Sequence, residues 1–468
     1  MDGAWIVVAL ELLWILGVAS WLALEKRSPE ATLAWIVVLG FLPVVGVPIY
    51  LLIGPRRLDR KRLRYGDLRL QLAAQICQLE RGVALPPDVL RQVRLGLHLD
   101  EAPVSTAAEI ELFVDGRSAF AALAAGIESA RRHVHLETYI YDPDATGRRL
   151  LELLAERARA GVRVRLLVDD VGARAGARFF APLVAAGGQV ARFNPPRFPL
   201  PWRRWIDFRT HRKIAVIDGH EGFLGGMNVS DSQTVGARGA PPWRDTHLRL
   251  RGDAVRALQR AFLENWHFGA GPGPAGLDDL PPSPPGPHRL QILRSGPDRE
   301  VHPIHEFLFA AIAGADERVW ATTAYLVPDE PLLVALRSAA HRGVDVRLLV
   351  PERGDSRFVA AAARSYFENL LLSGVRIWEY GPAILHAKTM VVDRELAVVG
   401  SGNLDIRSFR LNFEIAAAIY GTAAADHLAA IFERDLTSAR PVSAARLAAR
   451  PLGPRLLDAG ARLFASLL

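Results

Sequence analysis

Gly161-Val-Arg-Val-Arg-Leu-Leu-Val168 returns as Gly343-Val-Asp-Val-Arg-Leu-Leu-Val350, each copy following an Ala- and Leu-rich stretch of helical pattern. An octet repeated this closely, in the same local setting, marks an internal duplication. Upstream of the copies lie strand-like runs, Val134 to Tyr141 and Val319 to Val327, and downstream of each a further strand opens with histidine. Each half therefore reads β, α, β, then β. Strands alternating with helices of this length predict largely parallel sheets covered by helices. Between the halves, Gly271 to Pro287 is rich in Pro and Gly, a composition that neither propagates a helix nor fills a central strand. The expected fold is α/β: two homologous sandwich halves, 106–270 and 288–440, joined by a linker at 271–287 and followed by a C-terminal helical segment at 441–468. Fused homologous halves pack about a pseudo-twofold axis much as an isologous dimer does, which predicts a shared central site.

The histidines belong to a second repeat. His211-Arg-Lys213 is followed by Asp218, Gly225-Gly226 and Asn228; His386-Ala-Lys388 is followed by Asp393, Gly400-Ser401 and Asn403, at matching intervals. One His-x-Lys is noise in any chain. Five matched positions inside two duplicated halves are a strong signal. Ile214 to Ile217 and Thr389 to Val392 are strand-like, so His and Lys two residues apart share a face of an extended chain and meet one ligand. Asp218 and Asp393 count with the catalytic set as members of the repeat. Their odd offset of five from the lysine, at Asp-Gly and Asp-Arg turn positions, instead reads as structural.

These residue types suit phosphoryl transfer. Lysines and amide donors such as Asn228 and Asn403 can bind the non-bridging oxygens, and positioning with charge stabilisation supplies most of the catalysis. One neutral histidine can attack phosphorus to form a phosphohistidine, while the other, protonated, gives its proton to the departing alkoxide. Such chemistry needs no metal or other cofactor, and none is expected.

The pattern resembles the phospholipase D superfamily, and more closely the bacterial cardiolipin synthases. Beyond the paired motifs, Lys26-Arg-Ser-Pro29, Trp243-Arg-Asp-Thr-His247 and Asn403-Leu-Asp-Ile-Arg-Ser-Phe-Arg-Leu-Asn-Phe-Glu414 look like that subfamily. The resemblance implies that two phosphatidylglycerol molecules react to give cardiolipin and glycerol. It makes His211 the nucleophile and His386 the acid and base, although the motif treats them symmetrically. It also implies that Asp245 and Glu414 set a carboxylate against each histidine, fixing tautomer and orientation. Ala324 departs from the family's more usual proline before tyrosine.

Composition narrows the classes further. The chain has 468 residues, half of them hydrophobic, and a single cysteine, Cys77, which excludes a disulfide framework and a cysteine-rich zinc site. A formal charge of +7 favours an anionic partner, either nucleic acid or a lipid surface. The first 54 residues choose the lipid. Ala4 to Leu24 and Leu33 to Ile53 are apolar runs about as long as the ~20 residues that span a bilayer, and they read as a transmembrane hairpin over 1–54. Trp5, Trp21, Trp35 and Tyr50 lie near the run ends, where amphipathic rings favour the headgroup level. Arg56, Arg57, Arg60, Lys61, Arg62 and Arg64 open a basic juxtamembrane segment at 55–105, which places that exit and the catalytic body on the cytoplasmic side of a bacterial inner membrane.

Three rival readings are weaker. The subfamily phrases argue against a phospholipase D that hydrolyses or transphosphatidylates another lipid, for example with phosphatidylethanolamine as donor; a nuclease is hard to square with two spanning helices, and a non-catalytic lipid-binding protein would not retain both complete motifs. Two features stay open. Leu452 to Leu468, with Arg455 and Arg462 among leucines, reads equally as a membrane-surface helix or as a helix docked on the second half. His133, His135, His220, His247, His305 and His341 lack paired context and are assigned no role.

Overall fold

The computed structural model describes residues 2–24, 29–53, 89–195, 208–237, 239–271, 285–299 and 301–463. The chain separates into an N-terminal unit, Met1–Leu58, and a body, Asp59–Ser466. The basic cluster at 56–64, Cys77 and most of the expected linker lie outside the described residues.

In the N-terminal unit the first apolar run is the helix Asp2–Leu24. The second run, expected as one span, is two helices, Pro29–Phe41 and Pro43–Ile53. The break at Leu42 has a local cause, since Pro43 lacks an amide hydrogen and disfavours helical backbone in the residue before it. Among the described residues no helix is long and apolar enough to cross a membrane. Val18 and Leu22 pack against Leu39, and the Trp14 indole donates to the Leu39 carbonyl at 2.8 Å. Trp5, Leu10, Leu13, Leu16 and Leu24 are more than half exposed.

The body holds two large sheets of one design, and beside them a small one in which β11 (Leu326–Val327) pairs in parallel with β16 (Leu404–Asp405). The first half contributes β2 (Glu109–Asp115), β3 (His133–Thr138), β4 (Arg163–Asp169), β5 (Gln189–Phe193), β6 (Ile214–Ile217), β7 (Glu221–Gly225) and β8 (Arg244–Arg251), ordered β2-β8-β7-β6-β3-β4-β5. The second contributes β9 (His288–Ser295), β10 (Arg318–Thr322), β12 (Asp345–Pro351), β13 (Arg376–Tyr380), β14 (Thr389–Val392), β15 (Leu396–Gly400) and β17 (Glu414–Tyr420), ordered β9-β17-β15-β14-β10-β12-β13. The orders match strand for strand, as a duplication requires. The sheets are mixed rather than largely parallel. Within the two large sheets only β3-β4-β5 and β10-β12-β13 run parallel; the other pairings are antiparallel, because each histidine motif opens a hairpin, β6-β7 or β14-β15.

A further departure lies at the boundary of the halves. β1 (Ser105–Ala107), which straddles the expected start of the first half at 106, pairs with β9 of the second. The helix Leu90–Asp100 before it is tied there too, Asp100 taking the Arg294 guanidinium at 2.9 Å. The 90–107 stretch therefore builds the second half. At the opposite edge β18 (Ala439–Pro441) adds to β13.

Period-two alternation sets where each strand packs. Ala215 and Ile217 of β6 face the first half's own core, whereas Ile214 and Val216 enter a cluster shared by both halves, meeting Val391, Val399, Ile415 and Ile419. On β15, Ala397 and Val399 join that cluster while Leu396 and Val398 turn to the second half's core. Strands buried on both faces explain why these segments read as unbroken apolar runs.

Candidate active site

Each histidine segment is anchored to the opposite half. Thr210 bridges to Phe413, with the His211 amide donating to the Phe413 carbonyl at 2.9 Å; Arg244 bridges to Leu385, with the His386 amide donating to the Arg244 carbonyl at 2.7 Å. The residues following these anchors, Glu414 and Asp245, thereby reach across. Glu414 carboxylate oxygens lie 2.9 and 3.1 Å from His211 Nδ1, and an Asp245 oxygen lies 2.6 Å from His386 Nδ1. The carboxylate that engages each histidine thus comes from the other half. With Nδ1 engaged by the carboxylate, Nε2 is the ring nitrogen that contact leaves over.

The lysines close the arrangement. Lys213 Nζ donates to the His211 carbonyl at 2.6 Å, and Lys388 makes the equivalent bond to the His386 carbonyl. The Tyr139 ring stands edge-on to His211, centroids 5.2 Å apart, and the Trp243 ring lies 5.1 Å from His386. Neither aromatic was given a role from the sequence, although Trp243 opens the phrase that carries Asp245.

Burial dominates the electrostatics. It pushes His211 down to about 4, against the opposing pull of Glu414, and moves His386 in the same direction. It likewise takes Lys213 down to about 7 and lowers Lys388. Glu414 and Asp245 remain low despite burial, since each faces a histidine and a lysine. Lys388 acts on both His211 and Lys213, so the two motifs share one field.

The dyads are not identical. The Ser401 hydroxyl donates to Glu414, and Asn412 Nδ2 lies 3.3 Å from the same carboxylate. At the position matching Ser401 stands Gly226, where an added Cβ would fall 2.1 Å from Asp245 Oδ1. Asp245 instead accepts from the Thr246 amide at 2.7 Å.

Other expected residues fall elsewhere. Asp218 and Asp393 sit beyond the far ends of β6 and β14, at φ of 51° and 49°. Asp218 accepts from the amides of Arg131, Arg132 and His133 at 2.8 Å; Asp393 accepts from those of Asp316, Glu317 and Arg318. Their geometry is that of turn anchors, not of groups facing substrate. Asn228 and Asn403 are buried; Asn228 Oδ1 accepts from the Ile140 amide at 3.1 Å, whereas Asn403 Oδ1 has no partner among the described residues. Of the unassigned histidines, His135 bonds Gln259 and His305 bonds Asp329. His247 is buried beside Lys213 in a cavity of about 30 Å³.

Comparison with known proteins agrees with this architecture. A family model described as cardiolipin synthase, PLD-like domain matches residues 123–238 and 308–436, and one described as phospholipase D-nuclease N-terminal matches 12–55. The chain is 39% identical to a cardiolipin synthase of Geobacillus kaustophilus, covering 97% of this chain and 92% of that protein. It is 37% identical to cardiolipin synthase 2 of Bacillus anthracis, covering 95% and 88%. Among solved structures, a phosphatidylserine synthase of Haemophilus influenzae shares the fold at a TM-score of 0.62 and 13% identity, over 80% of this chain and 99% of that one. With two histidine-lysine motifs meeting across a duplicated body and relatives similar over nearly their whole length, the chain belongs to the phospholipase D-like cardiolipin synthase family.

Proposed function

We propose that this protein is a cardiolipin synthase, a phosphatidyltransferase that joins two phosphatidylglycerol molecules and releases glycerol. The observation that carries the reading is the crossed pair of dyads, a partly buried His211 and a buried His386, each oriented by the carboxylate of the opposite half. His211, held neutral by burial, attacks phosphorus through Nε2; the bond from phosphorus to the glycerol oxygen breaks, and His386 gives that oxygen its proton. Burial works against a protonated His386, while Asp245 and the arriving phosphodiester anion restore it. The hydroxyl of a second phosphatidylglycerol then attacks the phosphohistidine as His386 takes its proton, giving cardiolipin and freeing His211. Lys213, Lys388, Asn228 and Asn403 bind the phosphate oxygens.

The N-terminal unit serves as the membrane anchor in this reading, supported by the helix Asp2–Leu24, whose apolar residues surround it except at Glu11, and by arginines at the exit of the last helix. The body then works at the cytoplasmic face of a bacterial membrane. The test is incubation of wild type, His211→Ala and His386→Ala with phosphatidylglycerol vesicles, following cardiolipin and glycerol by mass. Equal yields of both from wild type and neither from the variants are expected. Phosphatidic acid in place of cardiolipin would assign a hydrolase instead.

A further inference from the structure

The helix Leu452–Leu463 is docked by its polar side. Its buried residues are Asp458 and Ala461. Asp458 sits between Arg364 at 3.0 Å and Arg450 at 2.5 Å. Ala461 packs with Val327, Val359, Ala361 and Ala362, against which Tyr325 and Ile406 rest. At about 100° per residue, Leu452, Leu456 and Leu463 fall on the opposite side, where they are 69%, 62% and 79% exposed. A helix on the surface of a globular body ordinarily turns its apolar stripe inward. Here the stripe points out, with Arg455 and Arg462 on one flank.

Charge names the partner. From residue 440 onward the chain carries five arginines and one acid, Asp458; Arg440 pairs with Glu352 and Arg450 with Asp458, so the positive charge offered outward is that of Arg446, Arg455 and Arg462. Leucines rimmed by arginine suit a helix lying in the headgroup layer of an anionic bilayer. A second copy of the same face would set arginine against arginine. Resting on the reading that the substrate is a membrane lipid, we propose that Leu452–Leu463 is the lipid-contact face of the catalytic body, with Leu452, Leu456 and Leu463 in the acyl boundary. The position is apt. Tyr325, which borders the Ala461 cluster, donates its hydroxyl to Asp355 at 2.7 Å, and Asp355 lies within electrostatic reach of His386 and Lys388.

The test uses the full chain in a Cys77→Ser background, with Leu456→Cys, Leu463→Cys or, as control on an exposed helix elsewhere, Glu433→Cys. Each carries an environment-sensitive fluorophore in vesicles of equal parts phosphatidylethanolamine and phosphatidylglycerol containing a lipid-borne quencher. Quenching at 456 and 463 but not at 433 is expected. The double variant Leu456→Glu, Leu463→Glu should raise the KM for vesicular phosphatidylglycerol roughly tenfold or more and leave kcat on detergent-dispersed lipid unchanged. Labels that stay in water, or unlabelled 456 and 463 cysteines that cross-link chain to chain on the vesicles, overturn the proposal. Cardiolipin formed while the labels stay in water sinks this face and spares the enzyme reading; quenched labels without cardiolipin do the reverse.

Discussion

Glu414, in the second half, holds His211 of the first: its carboxylate oxygens lie 2.9 and 3.1 Å from Nδ1, across 203 residues of chain. Asp245 does the same for His386 at 2.6 Å. Neither half therefore carries a complete histidine dyad of its own. Replacing Glu414 by Gln, or Asp245 by Asn, keeps the shape and removes the charge that selects the tautomer. Each change should lower kcat by roughly 10²- to 10⁴-fold, with KM little altered. Steady-state kinetics on vesicles check this, and a loss confined to KM would count against an orienting role.

Ser401 and Gly226 occupy matching positions but serve unlike carboxylates. Ser401 supports Glu414 with a hydroxyl bond, so Ser401→Gly should cost several-fold in kcat, consistent with one hydrogen bond of about 1 kcal/mol. Gly226→Ser should abolish activity, because the new Cβ would fall 2.1 Å from Asp245 Oδ1 and displace the carboxylate that His386 needs. Equal tolerance of the two exchanges would remove the distinction between the dyads.

The motif spacing made the histidines, lysines and duplication legible, since a repeat at fixed intervals is a property of sequence. The crossing of the dyads was not. Which carboxylate meets which histidine depends on backbone bridges such as Thr210 to Phe413, formed only when the halves pack. The Asp218-Gly219 and Asp393-Arg394 turns were visible as hairpin signals, yet the strand and helix alternation around them suggested parallel sheets; the local turn chemistry decides the pairing. β1 escaped because a strand of three residues that pairs with a strand far along the chain leaves no periodic trace.

Asp218 offers a test of stability apart from chemistry. Burial pushes its carboxyl up, but the amides of Arg131, Arg132 and His133 outweigh that and hold it below its ordinary value. A lowered pKa in the folded state means stability that is present above the unfolded value near 3.9 and is lost as pH falls through the folded one. Asp218→Asn should therefore lower Tm at neutral pH and flatten the acid limb of the stability curve. Folded material should keep most of its kcat. Loss of kcat at unchanged Tm would return Asp218 to the catalytic set.

Lys213 should shape the alkaline side of the pH profile. Burial brings its ammonium down to about 7 in the free enzyme, so as pH rises through that value the group loses its charge and its hold on an anionic phosphate. A bound phosphodiester restores the charge by opposing desolvation, and the loss therefore belongs to kcat/KM rather than to kcat. Between pH 7 and 9 kcat/KM should fall while kcat at saturating phosphatidylglycerol stays nearly level. Lys213→Arg, whose guanidinium stays charged throughout, should show lower activity but no such alkaline limb. If the limb persists in that variant, another group sets it, and Lys388, lowered by the same burial, is the next to replace.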